Sequence, residues 1–168
     1  MRSGSPLGER DPFNGVRRVY ALCFLFLMEV IERLGTDRAL ESLSRAVERQ
    51  AEIVEKELSS LKGMTDSLER GLEVYRCFMG DLGVQFTVEK EGEEGALIRV
   101  GRCPIYEAYL DIGLECGFWM EGLCTHITLP SIEAVLRRFD PRLRLLLERY
   151  RASVEEPCLV RMRVEKGG

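Results

Sequence analysis

The chain reads as an α+β domain: amphipathic helices packed with an antiparallel sheet made of two hairpins, with further helices between the hairpins. Three observations predict this. Residues 16–82 carry three helical patterns in succession, residues 84–102 switch to a two-residue alternation around a Gly-rich turn, and residues 158–164 alternate again near the end. With 168 residues, 45% hydrophobic and 31% charged, the chain has the size and composition of one domain that builds a core without staples. The expected organisation is a loose polar arm over 1–15, marked by Gly4, Pro6, Gly8, Pro12 and Gly15, followed by one domain over 16–166.

Each element has its own signal. Val16 to Leu34 is apolar on most sides, which predicts a central helix ended by Gly35. Thr36 then reads as the N-cap of a second helix whose stripe is Leu40, Leu43, Val47, Val54, Leu58 and Leu61, stopped by Gly63. A third helix from about Thr65 places Leu68, Leu72, Tyr75, Met79 and Leu82 on its buried side. Val84, Phe86 and Val88 alternate with polar residues, Glu91 to Gly95 forms a turn, and Ala96 to Arg102 returns as the partner strand. Cys103-Pro104 opens a helix, because proline suits the first helical position and leaves Cys103 as N-cap. Gly113 is the expected break, a second helical piece runs through Cys116, Trp119 and Cys124, and a third starts at Pro130-Ser131 and ends near Asp140-Pro141. Residues 142–151 fit either period. A strand is favoured because Cys158, Val160, Met162 and Val164, sharing one parity, need a partner strand.

The formal charge of −4 offers no basic field for nucleic acid or anionic lipid, so no nucleic-acid partner is expected. Arg137, Arg138, Arg142, Arg144, Arg149, Arg151, Arg161 and Arg163 recur late, but interleaved glutamates make a solvated face the expectation. The apolar run from Val19 to Met28 is shorter than the ~20 residues a membrane span needs and runs into Glu29. No small-residue cleavage site follows it. The expectation is a cytoplasmic protein without a membrane partner, its six cysteines reduced thiols, metal ligands or buried hydrophobes.

Those cysteines carry the chemistry. Cys23 and Cys77 lie on helices and are expected as core filler, and the aromatics Tyr106, Tyr109, Phe118, Trp119 and Phe139 as core rather than a ligand pocket. Cys103 meets free backbone N–H groups at a helix start, the setting of a nucleophile or a metal ligand, and equally of an N-cap without chemistry. Cys116 and Cys124 are eight residues apart, about 12 Å along one helix, so both reach one ion only if the helix breaks. Otherwise Cys103, Cys124 and Cys158 form the more economical cluster, completed by Glu121, Cys116 or His126. Such a set would suit zinc, with Cys103, Cys116, Cys124 and Cys158 as candidate ligands. A catalytic reading takes Cys103 as nucleophile with Glu121 or His126, the single histidine, handling protons. No phosphate loop, dinucleotide fingerprint, serine elbow or paired zinc-histidine motif occurs.

The series RCPIYEAYLDIG at 102–113, GLC at 122–124, the Asp140-Pro141 turn and EEPCLVRMRV at 155–164 resembles the L-2-amino-thiazoline-4-carboxylic acid hydrolase-like family. More distantly it is similar to the 4-vinyl reductase domain of small-molecule sensors. The resemblance implies helices covering an antiparallel sheet, and Cys103, Cys124 and Cys158 converging on one site. The family's named activity implies opening of a thiazoline ring by water to a carbamoyl-cysteine. In the distant sensors, cysteines and a glutamate hold zinc beside an aromatic ligand. Glu121 and Cys124 match such a Glu-x-x-Cys element, whereas Glu155-Glu156-Pro157 departs from the Gly-Asp of the usual last turn.

The leading expectation is therefore a small-molecule-binding domain with a cysteine-rich, zinc-compatible site. One alternative is a hydrolase that opens a small cyclic C–N bond with a cysteine thiolate or metal-bound water. The other is a non-catalytic structural protein whose first helix is buried in a homodimer.

Overall fold

In the computed structural model, residues 12–114 and 117–166 are described, Phe118 by its backbone only. Residues 1–11 of the expected arm, and Cys116, lie outside them. Two long helices open the chain, α1 (Pro12–Leu34) and α2 (Thr36–Glu57), followed by a 3₁₀ turn (Ser59–Gly63) and α3 (Ser67–Asp81). The hairpin β1 (Phe86–Lys90) and β2 (Gly95–Val100) leads to α4 (Pro104–Asp111), α5 (Gly117–Leu123), a π-helical turn (Cys124–Thr128) and α6 (Leu129–Phe139). A second hairpin, β3 (Leu143–Arg149) and β4 (Cys158–Val164), ends the fold. The sheet order is β1-β2-β4-β3, antiparallel throughout, so residues 142–151 do take the strand alternative.

Register explains which side of the sheet is core. Ala96, Ile98 and Val100 of β2 stand opposite Met162, Val160 and Cys158 of β4, and Leu145 of β3 also faces Met162. This parity is buried beneath α3 and α6. The other parity carries Arg144, Glu148 and Arg161, with Arg161 bridging Glu148 and Glu91 in the open. α3 delivers its expected face: Leu68, Leu72, Tyr75 and Met79 are buried, each worth about 1.5–3 kcal/mol of apolar transfer. Its start is fixed by Asp66, whose carboxylate accepts the Glu69 N–H at 2.8 Å. α3 also approaches closely at Gly71, where a Cβ would lie 2.7 Å from Leu143 Cδ2 and 3.0 Å from Met162 Sδ.

Several expectations change, among them Thr36, which is the first residue of α2 with Gly35 as its N-cap, and Trp119, which is exposed rather than core. The first helix begins at Pro12, so residues 12–15 of the expected arm are helical. Nor is α1 central: only Phe13 and Phe24 are buried, while Val19, Leu22, Leu25, Phe26 and Met28 are exposed. Its main partners are α4 and α2. Arg17 holds Glu107 at 3.1 Å and Asp111 at 2.9 Å, and Phe24 meets the Tyr109 ring at 4.4 Å. Cys23, expected in the core, is exposed for the same reason. Among the described residues, no helix is long and apolar enough to cross a membrane.

Candidate functional site

Where α4 meets the ends of β2 and β4, the chain encloses a chamber of about 40 Å³. Its lining includes Cys103, Cys124 and Cys158, the rings of Tyr75, Tyr106, Tyr109 and Tyr150, and the guanidinium of Arg151. Backbone geometry puts each thiol there. Cys103 is the extended N-cap of α4, ahead of Pro104. Gly113, at φ 79°, ends the helical path soon after α4, a conformation other residues rarely adopt. The chain turns there and returns Cys124 at the first position of the π-helical turn, a local widening often found at functional sites. Cys158 opens β4 on the core parity and is 8% exposed.

Arg151 governs the electrostatics. It is 4% exposed. Its Nη2 donates to the carbonyls of Val100 (2.9 Å) and Gly101, its Nε donates to Cys158 Sγ at 3.2 Å, and its plane lies 4.6 Å from the Tyr106 ring centroid. Among the described residues no carboxylate pairs with it. The sequence assigned Arg151 to a solvated face; the correction follows from its place just after β3, which swings it under the end of β2. Its neighbours in the arginine series do meet the interleaved acids: Arg138 with Glu52 and Glu55, Arg144 with Glu165.

Burial decides the thiols. Desolvation pushes the Cys103 thiol up, opposed by hydrogen bonds from the Tyr106 and Ile105 backbone and by the Arg151 charge. Cys124 is pushed up to about 12, first by desolvation and then by the fields of Cys103 and Cys158. Tyr75, Tyr109 and Tyr150 are likewise held in the neutral form by burial. Tyr109 shares a hydrogen bond with Thr128 at 3.1 Å, while the buried hydroxyl of Tyr150 has no partner among the described residues.

Three of the sequence-derived candidates thus share one cavity. Glu121 is exposed on α5 and reaches the chamber only through its field at Cys124. His126 is exposed in the π-helical turn and lines a separate shallow groove between α2 and α6, with Ser44, Glu48 and Arg137. Among the described residues, no three His, Cys, Asp or Glu side chains could hold one metal ion. A guanidinium against Cys158 Sγ adds positive charge where a cation would need a ligand.

Beside the chamber lies a larger cavity of about 690 Å³, walled by α1 (Val16, Tyr20, Phe24, Leu27), α2 (Leu43, Val47), α3 (Phe78) and the residue that caps α3, Leu82. Ile105, Thr128 and Ile132 line both spaces and form the partition between them. The larger volume lies within the range of small-molecule pockets, about 300–1,000 Å³.

This is an α+β fold with a buried thiol and guanidinium chamber that shares a wall with an apolar cavity. The sequence profile of the L-2-amino-thiazoline-4-carboxylic acid hydrolase family matches residues 16–161, and the chain belongs to that family. Comparison with curated protein sequences gives no match. Among solved structures, the chain is similar to trafficking protein particle complex subunit 3 from Naegleria fowleri, covalently bound to palmitic acid. The TM-score is 0.50 at 10% identity, covering 90% of this chain and 96% of that one, a likeness of fold.

Proposed function

We propose that the chain is a small-molecule-binding member of its family, with the body of the ligand in the 690 Å³ cavity and its reactive or polar end among Cys103, Cys124, Cys158 and Arg151. The observation that carries this is the shared partition: one lined by thiols and a buried cation on one side and by aliphatic and aromatic carbon on the other. The fold neighbour is covalently bound to palmitic acid, which supports an apolar body for the ligand here. The described cysteines are all unpaired, in keeping with a reducing, cytoplasmic setting. The site works without zinc in this reading. Metal analysis of the purified chain tests that part, since one zinc per chain would bring Cys116 and the thiols back as ligands. Binding itself is tested by thermal shift with 1-dodecanol on the wild type and on Val47→Trp. A saturable shift removed by the substitution is expected; no shift in either protein would end the reading.

Family membership favours a second reading, hydrolysis of a small cyclic C–N bond with Cys103 as nucleophile. Its backbone hydrogen bonds stabilise a thiolate, but burial outweighs them and leaves the thiol protonated. Thiazoline-carboxylate turnover lost in Cys103→Ala but retained in Cys77→Ala would support it.

For the exposed apolar face of α1 the occupant we propose is a second copy of the chain. Arg17 and Arg18 lie near the start of α1, and near its end Glu32 stands beside a Glu29 already paired with Arg33 at 3.8 Å, so two helices running antiparallel bring Arg18 toward Glu32. Sedimentation of the wild type and Phe26→Glu tests it: a concentration-dependent dimer lost in the variant is expected, and a monomer in both contradicts it.

A further inference from the structure

We infer that Arg151 and Tyr150 form the recognition end for a single-chain carboxylate, which sits with its carboxylate in the chamber and its hydrocarbon in the neighbouring cavity. The inference rests on the ligand-binding reading and names the class of ligand. A buried guanidinium is costly unless its charge and its donors are met. Arg151 is 4% exposed, and its Nε and Nη2 are committed to Cys158 and to the carbonyls of Val100 and Gly101. Nη1 makes no hydrogen bond among the described residues, and no carboxylate neutralises the group. The adjacent residue supplies a second unmet donor, the buried hydroxyl of Tyr150. Both side chains line the same chamber. A carboxylate offers two oxygens and one negative charge, which answers both donors and the cation at once.

Around this point Cys158 Sγ already accepts from Arg151 Nε, and no carboxylate lines the chamber. Cys103 and Cys124 are pushed toward the protonated form, Tyr75 and Tyr109 toward the neutral form, and Glu121 stands outside the lining. At about 40 Å³ the chamber takes a carboxylate-sized group but no ring or chain behind it. The remainder of the ligand must pass the partition of Ile105, Thr128 and Ile132, beyond which about 690 Å³ of apolar space is available. A slim hydrocarbon suits that passage better than a ring.

The test compares laurate with 1-dodecanol, which share a chain and differ in the head group, by equilibrium binding to the full chain at neutral pH. Laurate is expected to bind roughly 10- to 100-fold more tightly, the range for hydrogen bonds to a charged group. Tyr150→Phe removes only the unmet hydroxyl, and is expected to weaken laurate about 3- to 10-fold and 1-dodecanol by clearly less, since a neutral acceptor forms the weaker hydrogen bond. Arg151→Met is expected to abolish the preference; because Arg151 also ties down the end of β2, Tyr150→Phe keeps the test decisive if that variant does not fold. Equal binding of the two probes to the wild type, or equal weakening of both by Tyr150→Phe, overturns the carboxylate assignment while leaving ligand binding intact. Binding of neither probe overturns the ligand-binding reading and the assignment with it.

Discussion

Iodoacetamide reacts with thiolate, so labelling each cysteine of the native chain across a pH series reads out how the chamber holds its protons. Cys124 is the sharpest case. Its thiol is pushed up to about 12 by desolvation and by the neighbouring thiols. At pH 8 a group titrating near 12 is ionised in about one molecule in 10⁴, against about a quarter for an unperturbed cysteine near 8.5. Carboxymethylation of Cys124 is therefore expected to be slower by on the order of 10³, before any steric shielding. Shielding scales the rate without altering its pH dependence, so the slope separates the two effects. The Cys124 rate should still rise about tenfold per pH unit near pH 10, where an ordinary thiol has levelled off. Peptide mass spectrometry after quenched labelling measures this, with exposed Cys23 as internal reference and far-UV circular dichroism confirming the fold at each pH. A Cys124 rate that levels off below pH 9 in folded protein would refute the desolvated chamber.

Three further outcomes test the scaffold. Asp140 is buried and accepts from Ser67 Oγ (2.6 Å), Arg70 Nη2 (2.9 Å) and the Arg142 backbone and guanidinium, so Asp140→Asn should cost about 3–5 kcal/mol in urea unfolding. The same contacts, Arg142 foremost, hold the Asp140 carboxyl well below the usual range. Its stabilisation is then full above about pH 4 and is lost as pH falls further, because the unfolded chain takes up the proton first; acid unfolding followed by circular dichroism should begin there in the wild type and be blunted in Asp140→Asn. Gly71→Ala drives a methyl against Leu143 and Met162, both fully buried, and should destabilise by about 1–3 kcal/mol in the same urea assay.

Periodicity made most of the scaffold legible. The buried face of α3, the first hairpin, the Cys103-Pro104 helix start and the inward Cys158 all follow from local pattern, because each is a choice of face that the sequence itself encodes. The position of α1 was not legible. An apolar helix is suited equally to a core, a cavity wall or an interface, and only the tertiary arrangement shows that α1 packs against α4 and borders the large cavity. At the site, helix spacing already set Cys116 apart and made Cys103, Cys124 and Cys158 the economical cluster, and the family resemblance implied the same convergence. Arg151 was missed because an arginine among glutamates reads as solvated. The one available signal was that Tyr150-Arg151 stands between two apolar strands, and it names no partner. His126 was singled out by residue type and Glu121 by its i, i+3 spacing from Cys124, and neither signal says which cavity a side chain reaches.

Ligand protection of individual thiols tests the central claim most directly. Cys103 lines the chamber, Cys23 lines the apolar cavity, and Cys77 lines neither. Saturating laurate, followed by iodoacetamide labelling and peptide mass spectrometry, should slow Cys103 and Cys23 together and leave Cys77 unchanged. One ligand spanning both spaces predicts that pattern. Unchanged labelling of Cys103 with laurate demonstrably bound, or equal slowing of all three cysteines, would contradict it.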